Sequence, residues 1–376
     1  MTWRLLLTTD TVGGVWTYAL ELARALPSSE VTIALCTMGA PLRDDQRAAA
    51  DDIPHLYLYE SDYRLEWMQD PWDDVYRAGD WLMDVAEEFQ PHIVHLNSYV
   101  HGAWPWSAPV LMVGHSCVLS WWEAVKGEAA PAAEWGRYTE EVARGLRSAD
   151  LVLAPTAAML GALQKHYGPL PRTGVVANGR REDLFPPGGK EPFIFAAGRI
   201  WDEAKNIAAL DAIAADLDWP IHVAGEEQHP NGGRRSPDAL HGLGQLSQRE
   251  VIDWMGRAAI YCLPARYEPF GLTPLEAALA GCALVLGDIP TLHEVWGDAA
   301  RFVPPDDPDC LRATLGELMA DTGKREELAS RGRRRALRYS PSRMAAGYWR
   351  AYGQLRKQAQ RVSHVAPFAI PVSRSY

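Results

Sequence analysis

Short apolar runs alternate with amphipathic stretches along nearly the whole chain, and few folds can absorb that order. Runs at 3–8, 31–36, 55–59, 93–96, 110–114 and 151–154 have the length and content of buried strands, and a second series follows at 193–197, 221–224, 260–263, 283–286 and 301–303. Between them, 15–26, 73–89, 134–148, 207–217 and 247–257 repeat apolar residues at helical spacing. Strand–helix–strand order predicts parallel sheets with helices on both faces, an α/β doubly wound architecture. Two series predict two such domains facing a cleft. The break falls in 183–192, where three prolines and two glycines stop helix and ladder alike. The predicted domains are 1–183 and 184–340.

The segment 341–376 is predicted to complete the first domain. Ser340 or Ser342 is a candidate helix cap, and Met344, Tyr348, Tyr352 and Leu355 then recur on one face. Such a face must be buried. The second domain is expected to be complete by then, so the helix is predicted to cross the cleft and dock on the first. Hinges are expected near 186–192 and near Ser340. The tail after Ser363, polar and proline-containing, is expected to be poorly ordered.

Charge and composition exclude several classes. The formal charge of −11 opposes nucleic-acid binding, which needs a basic footprint. No apolar run is long enough to span a membrane, and the first residues read as a strand rather than a signal peptide. The five cysteines are widely spaced without a C-x-x-C pair, so reduced thiols in a cytoplasm are expected rather than zinc or disulfides. Residues 328–376 hold eleven Arg or Lys and no Asp or Glu, a basic segment that could dock on the acidic body or meet an anionic partner. Docking is the expectation adopted.

Ligands of open parallel sheets sit beyond the carboxyl ends of strands. After the first strand comes Thr9-Asp10-Thr11-Val12-Gly13-Gly14, where paired glycines before a helix let backbone N–H groups approach an anion. It is not the G-x-G-x-x-G of dinucleotide sites, which disfavours a dehydrogenase. His115 ends the run 110–114 and is expected at the cleft. Gly198-Arg199 and Lys205 flank the turn after 193–197, a fork and a point charge suited to clamping phosphates, unless both only pair with Asp202 and Glu203. After 260–263 comes Tyr267-Glu268-Pro269-Phe270-Gly271-Leu272-Thr273-Pro274-Leu275-Glu276. Thr273 suits an N-cap with Glu276 completing a capping box, while the N–H groups of Phe270–Thr273 would face a diphosphate.

Glu268 and Glu276, in the setting Y-E-P-F-G-L-T-P-L-E-A, form an E-x7-E element that resembles the retaining nucleotide-sugar glycosyltransferases of family 4, of GT-B architecture. Gly13-Gly14, Gly198-Arg199 with Lys205, Ala224-Gly225-Glu226, His241-Gly242 and the terminal helical segment follow in the family's order. The resemblance implies two Rossmann-like domains, the second holding the donor and the first the acceptor. It implies that Gly13 and Gly14 contact the donor phosphate or the acceptor side, and that His115 lines the reaction centre. Arg199 and Lys205 would neutralise the leaving diphosphate. Glu268 and the backbone of Phe270, Gly271 and Leu272 would hold the transferred sugar, and Glu276 the ribose; Thr273 and Glu226 join the donor site.

A hexose, glucose as the first expectation, would pass from a nucleoside diphosphate, UDP as the first expectation. No metal or other cofactor is expected: the D-x-D pairs Asp216/Asp218 and Asp307/Asp309 lie at a helix end and in a proline-rich turn. Trp104, Trp106, Trp121 and Trp122 follow strand ends and could stack on sugar rings. Residues 60–90 carry ten acidic residues against two Arg, so a saccharide or small glycoside acceptor is expected over an anionic membrane. A sugar-nucleotide epimerase, a phosphorylase of similar architecture, or a non-catalytic sugar-nucleotide binding protein stays open as an alternative.

Overall fold

A computed structural model describes residues 2–227 and 238–364. Thirteen strands in the described residues form two wholly parallel sheets. The first comprises β1 (Trp3–Asp10), β2 (Val31–Met38), β3 (Leu56–Tyr59), β4 (Ile93–Leu96), β5 (Val110–Val113), β6 (Leu151–Ala154) and β7 (Thr173–Val175), in the order β3-β2-β1-β4-β5-β6-β7. The second comprises β8 (Glu191–Ala197), β9 (Ile221–Ala224), β10 (His241–Gly242), β11 (Ala258–Leu263), β12 (Ala283–Gly287) and β13 (Arg301–Val303), in the order β10-β9-β8-β11-β12-β13. Helices lie between successive strands and cover the sheets. Central strands such as Ile93–Leu96 and Ala258–Leu263 are buried along their whole length, which is why they read as continuous apolar runs.

Every predicted strand is present. The two that the apolar pattern missed are the edges β7, two exposed residues flanking half-buried Gly174, and β10, two exposed residues. Neither has a face to bury, so neither carries a pattern. The predicted helix at 207–217 stays α-helical only through Ile207–Ile213 and tightens into a 3-10 turn, Ala214–Asp216.

The terminal helix, Pro341–His364, packs on the first sheet and on the helix Gly14–Ala25. Met344, Tyr348, Tyr352 and Leu355 are each at most 2% exposed, so each contributes about 1.5–3 kcal/mol of burial. Ser340 Oγ accepts from the Arg343 N–H and caps the helix start. The seat is apolar and aromatic. Tyr352 meets buried His95 at 2.7 Å, and Tyr18 meets its other ring nitrogen at 3.2 Å. Of the basic side chains on this helix, Arg343 and Arg350 are exposed, and Arg356 lies over the Trp3 ring. Of the tail expected to be disordered, residues 365–376 lie outside the described residues. Among the described residues, no helix is long and apolar enough to cross a membrane. Cys36, Cys117, Cys262 and Cys282 are buried free thiols, and Cys310 is half-buried.

Candidate active site

Strand order reverses between β1 and β4 in one sheet and between β8 and β11 in the other, and the crevices of open parallel sheets form at such points. The turns beyond these strands face one another. A Cβ on Gly13 would lie 3.6 Å from Arg199 Nη1, and one on Gly14 would lie 3.4 Å from Leu272 Cδ1. The glycine loop of the first domain therefore touches both the arginine turn and the E-x7-E helix of the second.

On the first domain, Gly13 is the extended N-cap of the helix Gly14–Ala25. Its N–H and that of Val12 both donate to Asp10 Oδ1 at 3.1 Å, so the loop's first donors are satisfied internally. Burial raises Asp10, opposed by those two N–H groups and by Arg199. His115 sits just past β5 and packs edge-on against Tyr18, ring centroids 4.4 Å apart. Its Nε2 lies 2.8 Å from Asn97 Oδ1, and Asn97 Nδ2 donates to the Thr8 carbonyl at 2.6 Å. A carbonyl only accepts, which orients the amide and makes His115 Nε2 the protonated nitrogen. Burial holds the ring down at about 3, so it is neutral, with Nδ1 as an acceptor. Asn97 escaped sequence reasoning because an amide after a strand carries no motif; the adjacency of β1, β4 and β5 makes it a support for His115.

On the second domain, Lys205 Nζ contacts Glu268 Oε2 at 2.8 Å, both side chains mostly buried. Arg199 Nη2 contacts Asp202 Oδ2 at 2.7 Å, and its guanidinium lies over the Trp201 ring. Burial alone would raise Asp202, but Arg199 and Lys205 outweigh it and hold its carboxyl low. The pairing of Arg199 with Asp202, read from sequence as the alternative to a ligand role, thus occurs inside the cleft wall rather than on an open surface. The Glu203 carboxylate instead reaches Lys126 of the first domain at 2.8 Å.

The helix Leu272–Leu279 begins differently from the sequence expectation. Its N-cap is Gly271, at φ +88, and no side chain caps it. Thr273 Oγ1 instead accepts from the Tyr261 hydroxyl at 2.8 Å, and the capping box with Glu276 does not form. Phe270 packs edge-on against Tyr339 and is buried. The first N–H groups of a helix have no partner within it, so this start presents donors beside Lys205 and Glu268.

Glu276 turns toward Arg180, whose Nε lies 2.7 Å from Glu276 Oε1 and whose Nη1 donates to Glu21 Oε1 at 2.6 Å. Burial raises both carboxylates, and Arg180 opposes the rise in each. A buried arginine in the connecting segment thus joins a carboxylate of each domain. Nothing but two arginines in a loop announced it in the sequence. Glu226 is exposed; its carbonyl accepts from the Ile200 N–H at 2.9 Å, and the neighbouring segment 228–237 lies outside the described residues.

Tyr267, beside Glu268, is a third residue whose role sequence reasoning missed. Its hydroxyl crosses to the first domain and meets Ser120 Oγ at 2.8 Å and the Cys117 N–H at 3.2 Å. The tryptophans do not gather into one platform. Trp104 packs against Tyr76 and His101, Trp106 Nε1 donates to the His101 carbonyl, and Trp121 Nε1 donates across the domain boundary to Asp202. Of the D-x-D carboxylates, Asp216 and Asp309 both pair with Arg312, and Asp307 caps the helix Pro308–Ala320.

Two family models match in tandem: glycosyltransferase family 4 over residues 12–183, and glycosyl transferases group 1 over residues 182–335. The chain belongs to glycosyltransferase family 4. Phosphatidyl-myo-inositol mannosyltransferase of Mycolicibacterium smegmatis is 35% identical over 181 residues, 45% of this chain and 46% of that protein. The match thus spans less than half of that relative's length. Glycogen synthase of Mycobacterium tuberculosis is 24% identical across 86% of each chain. Among solved structures, Anabaena Alr3699/HepE in complex with UDP and glucose superposes with a TM-score of 0.71 at 15% identity, covering 94% of this chain and 100% of that one. That likeness shows the GT-B fold of this family 4 chain.

Proposed function

We propose that this family 4 glycosyltransferase moves a hexose, with retention of anomeric configuration and without a metal ion, from a nucleoside-diphosphate sugar to a saccharide or small glycoside. UDP-glucose is the proposed donor. The carrying observation is the convergence of Arg199, Lys205, Glu268 and the start of the helix Leu272–Leu279 on one wall, against Gly13 and Gly14 of the first domain. A sugar nucleotide reacts by losing its diphosphate through an oxocarbenium-like state. Fixed cations and helix N–H groups aimed at the departing oxygens lower that barrier. Lys205 and Arg199 exchange their carboxylate partners for phosphate oxygens when the donor enters, which frees Glu268 to accept the sugar's hydroxyls. Glu276, at the far side of the same helix, accepts the ribose hydroxyls. His115, uncharged, borders the transferred sugar without competing for the anion. Asp216, Asp307 and Asp309 are held by Arg312 or by a helix cap, which supports charge neutralisation by Arg199 and Lys205.

The glucose reading draws on the glycogen synthase match and on the solved complex with UDP and glucose; the mannosyltransferase match makes mannose the rival sugar. A thermal-shift screen over UDP-, GDP- and ADP-sugars tests the donor, since a ligand that binds only the folded state raises the melting temperature. UDP-glucose is expected to give the largest shift, and a larger shift with GDP-mannose overturns the glucose assignment. Transfer is expected to survive EDTA, and Arg199→Ala to lower kcat/KM about a hundredfold. Loss of transfer on chelation, restored by manganese or magnesium, overturns metal independence. Donor isomerisation without an acceptor points to an epimerase.

A further inference from the structure

Two segments join the domains, and they touch. The outgoing one passes Asn178-Gly179-Arg180, and the returning one passes Arg338-Tyr339-Ser340. Arg180 N–H donates to the Tyr339 carbonyl at 3.0 Å, and a Cβ on Gly179 would lie 2.5 Å from the Ser340 carbonyl carbon, so only glycine permits the crossing. Beside this crossing lies a groove of about 350 Å³ between the β7 edge and the terminal helix, lined by neither Arg199 nor Glu268.

Its lining has three features. Val176 and Met344 contribute to an apolar floor. Arg338, Arg343 and Arg350 stand at the rim, no Asp or Glu lines the groove, and none of the three arginines makes an ion pair among the described residues. Arg343 and Arg350 are seven residues apart, two turns along one helix face, so their charges are about 10 Å apart along the axis. Finally, Asn178, 5% exposed at the back, keeps Oδ1 without a hydrogen bond. A buried acceptor is rarely left so. The start of the terminal helix opens on the same groove and favours an anion there. This is also where the basic composition of the last part of the chain finds no acidic counterpart.

We propose that this groove binds a small phosphate ester of a polyol, which clamps the two hinge segments together. The arginines take the phosphate oxygens, the apolar floor takes the C–H face of the polyol, and Asn178 accepts a hydroxyl. A ligand so held touches the outgoing segment through Asn178 and the returning one through Arg338 and Arg343, and it lies outside the transfer site.

Isothermal titration calorimetry with glucose 6-phosphate and inorganic phosphate, joined to hydrogen exchange on the full chain, tests this. Glucose 6-phosphate is expected to bind saturably, and more tightly than phosphate. Its binding should slow exchange in 176–181 and 338–343. The double variant Arg343→Ala/Arg350→Ala should weaken binding about a hundredfold, roughly tenfold per lost charge-assisted contact. Both side chains are exposed, so its melting temperature should match the parent's. Absence of saturable binding, unchanged affinity in the double variant, or binding without slower exchange at the hinge overturns the proposal. So does sedimentation with phosphatidylglycerol vesicles without glucose 6-phosphate binding, which would assign the arginines to a membrane surface.

Discussion

β1 and β8 hold the same place in their sheets, each at the point where strand order reverses, and the turn after each enters the cleft. After β1 the turn is closed on itself: Asp10 takes the N–H groups of Val12 and Gly13. After β8 the turn puts out Arg199, with Lys205 following, and both are balanced by carboxylates of their own domain. Deeper in the first domain burial shifts two groups toward their neutral forms. His115 is held at about 3, and burial raises Glu66 to about 7 against the N–H groups of Val100 and Tyr99. The loop after β1 is thus satisfied by its own carboxylate, whereas the turn after β8 carries two cations, each paired with a carboxylate.

Arg180 is where the two walls are tied, and removing it gives the largest expected effect on stability. Arg180→Met leaves Glu21 and Glu276 buried without a counter-charge and should cost about 3–5 kcal/mol in denaturant unfolding. Adding Glu21→Gln and Glu276→Gln should restore most of the loss. If the single variant unfolds like the parent, the tie is not structural.

The upward shift of Glu66 is tested by pH. Glu66 keeps its proton in the folded state up to about 7, whereas a carboxyl in the unfolded chain loses it near 4.5. The folded state binds the extra proton between those values, so this contribution to stability is full below about 4.5 and is lost as pH rises toward 7. Glu66→Gln removes it. The variant should gain roughly 3 kcal/mol on the parent between pH 4.5 and pH 8. Parallel stability profiles would show that Glu66 is ionised in the folded state across this range.

The smallest effect separates two glycines at helix starts. Gly271 has φ +88 and its Cβ would crowd Pro274 at 3.1 Å, whereas Gly13 is extended and its Cβ would meet Arg199 only at ordinary contact. Gly271→Ala should cost about 1–2 kcal/mol, and Gly13→Ala below about 1 kcal/mol. Equal melting temperatures would remove the conformational distinction between the two turns.

Strand–helix alternation, the break at 183–192, the apolar face of the terminal helix and the E-x7-E setting were all readable along the chain. Each is a local pattern, written by burial with a fixed period or by turn chemistry. The partners of the site residues were not. Glu276 looked like half of a capping box because a spacing of three suits one, yet Gly271 starts the helix and a buried Arg180 from another segment claims the carboxylate. Asn97 and Arg180 carry no motif, Tyr267 opens one without announcing its partners, and β7 and β10 bury too little to show a period. The sequence alone determined which segments become strands and helices, because that depends on neighbours a few residues away. The pairing of charges, the tautomer of His115 and the seat of the terminal helix were decided only in the tertiary structure. They depend on groups tens to hundreds of residues apart, and on the burial that makes an unpaired charge costly.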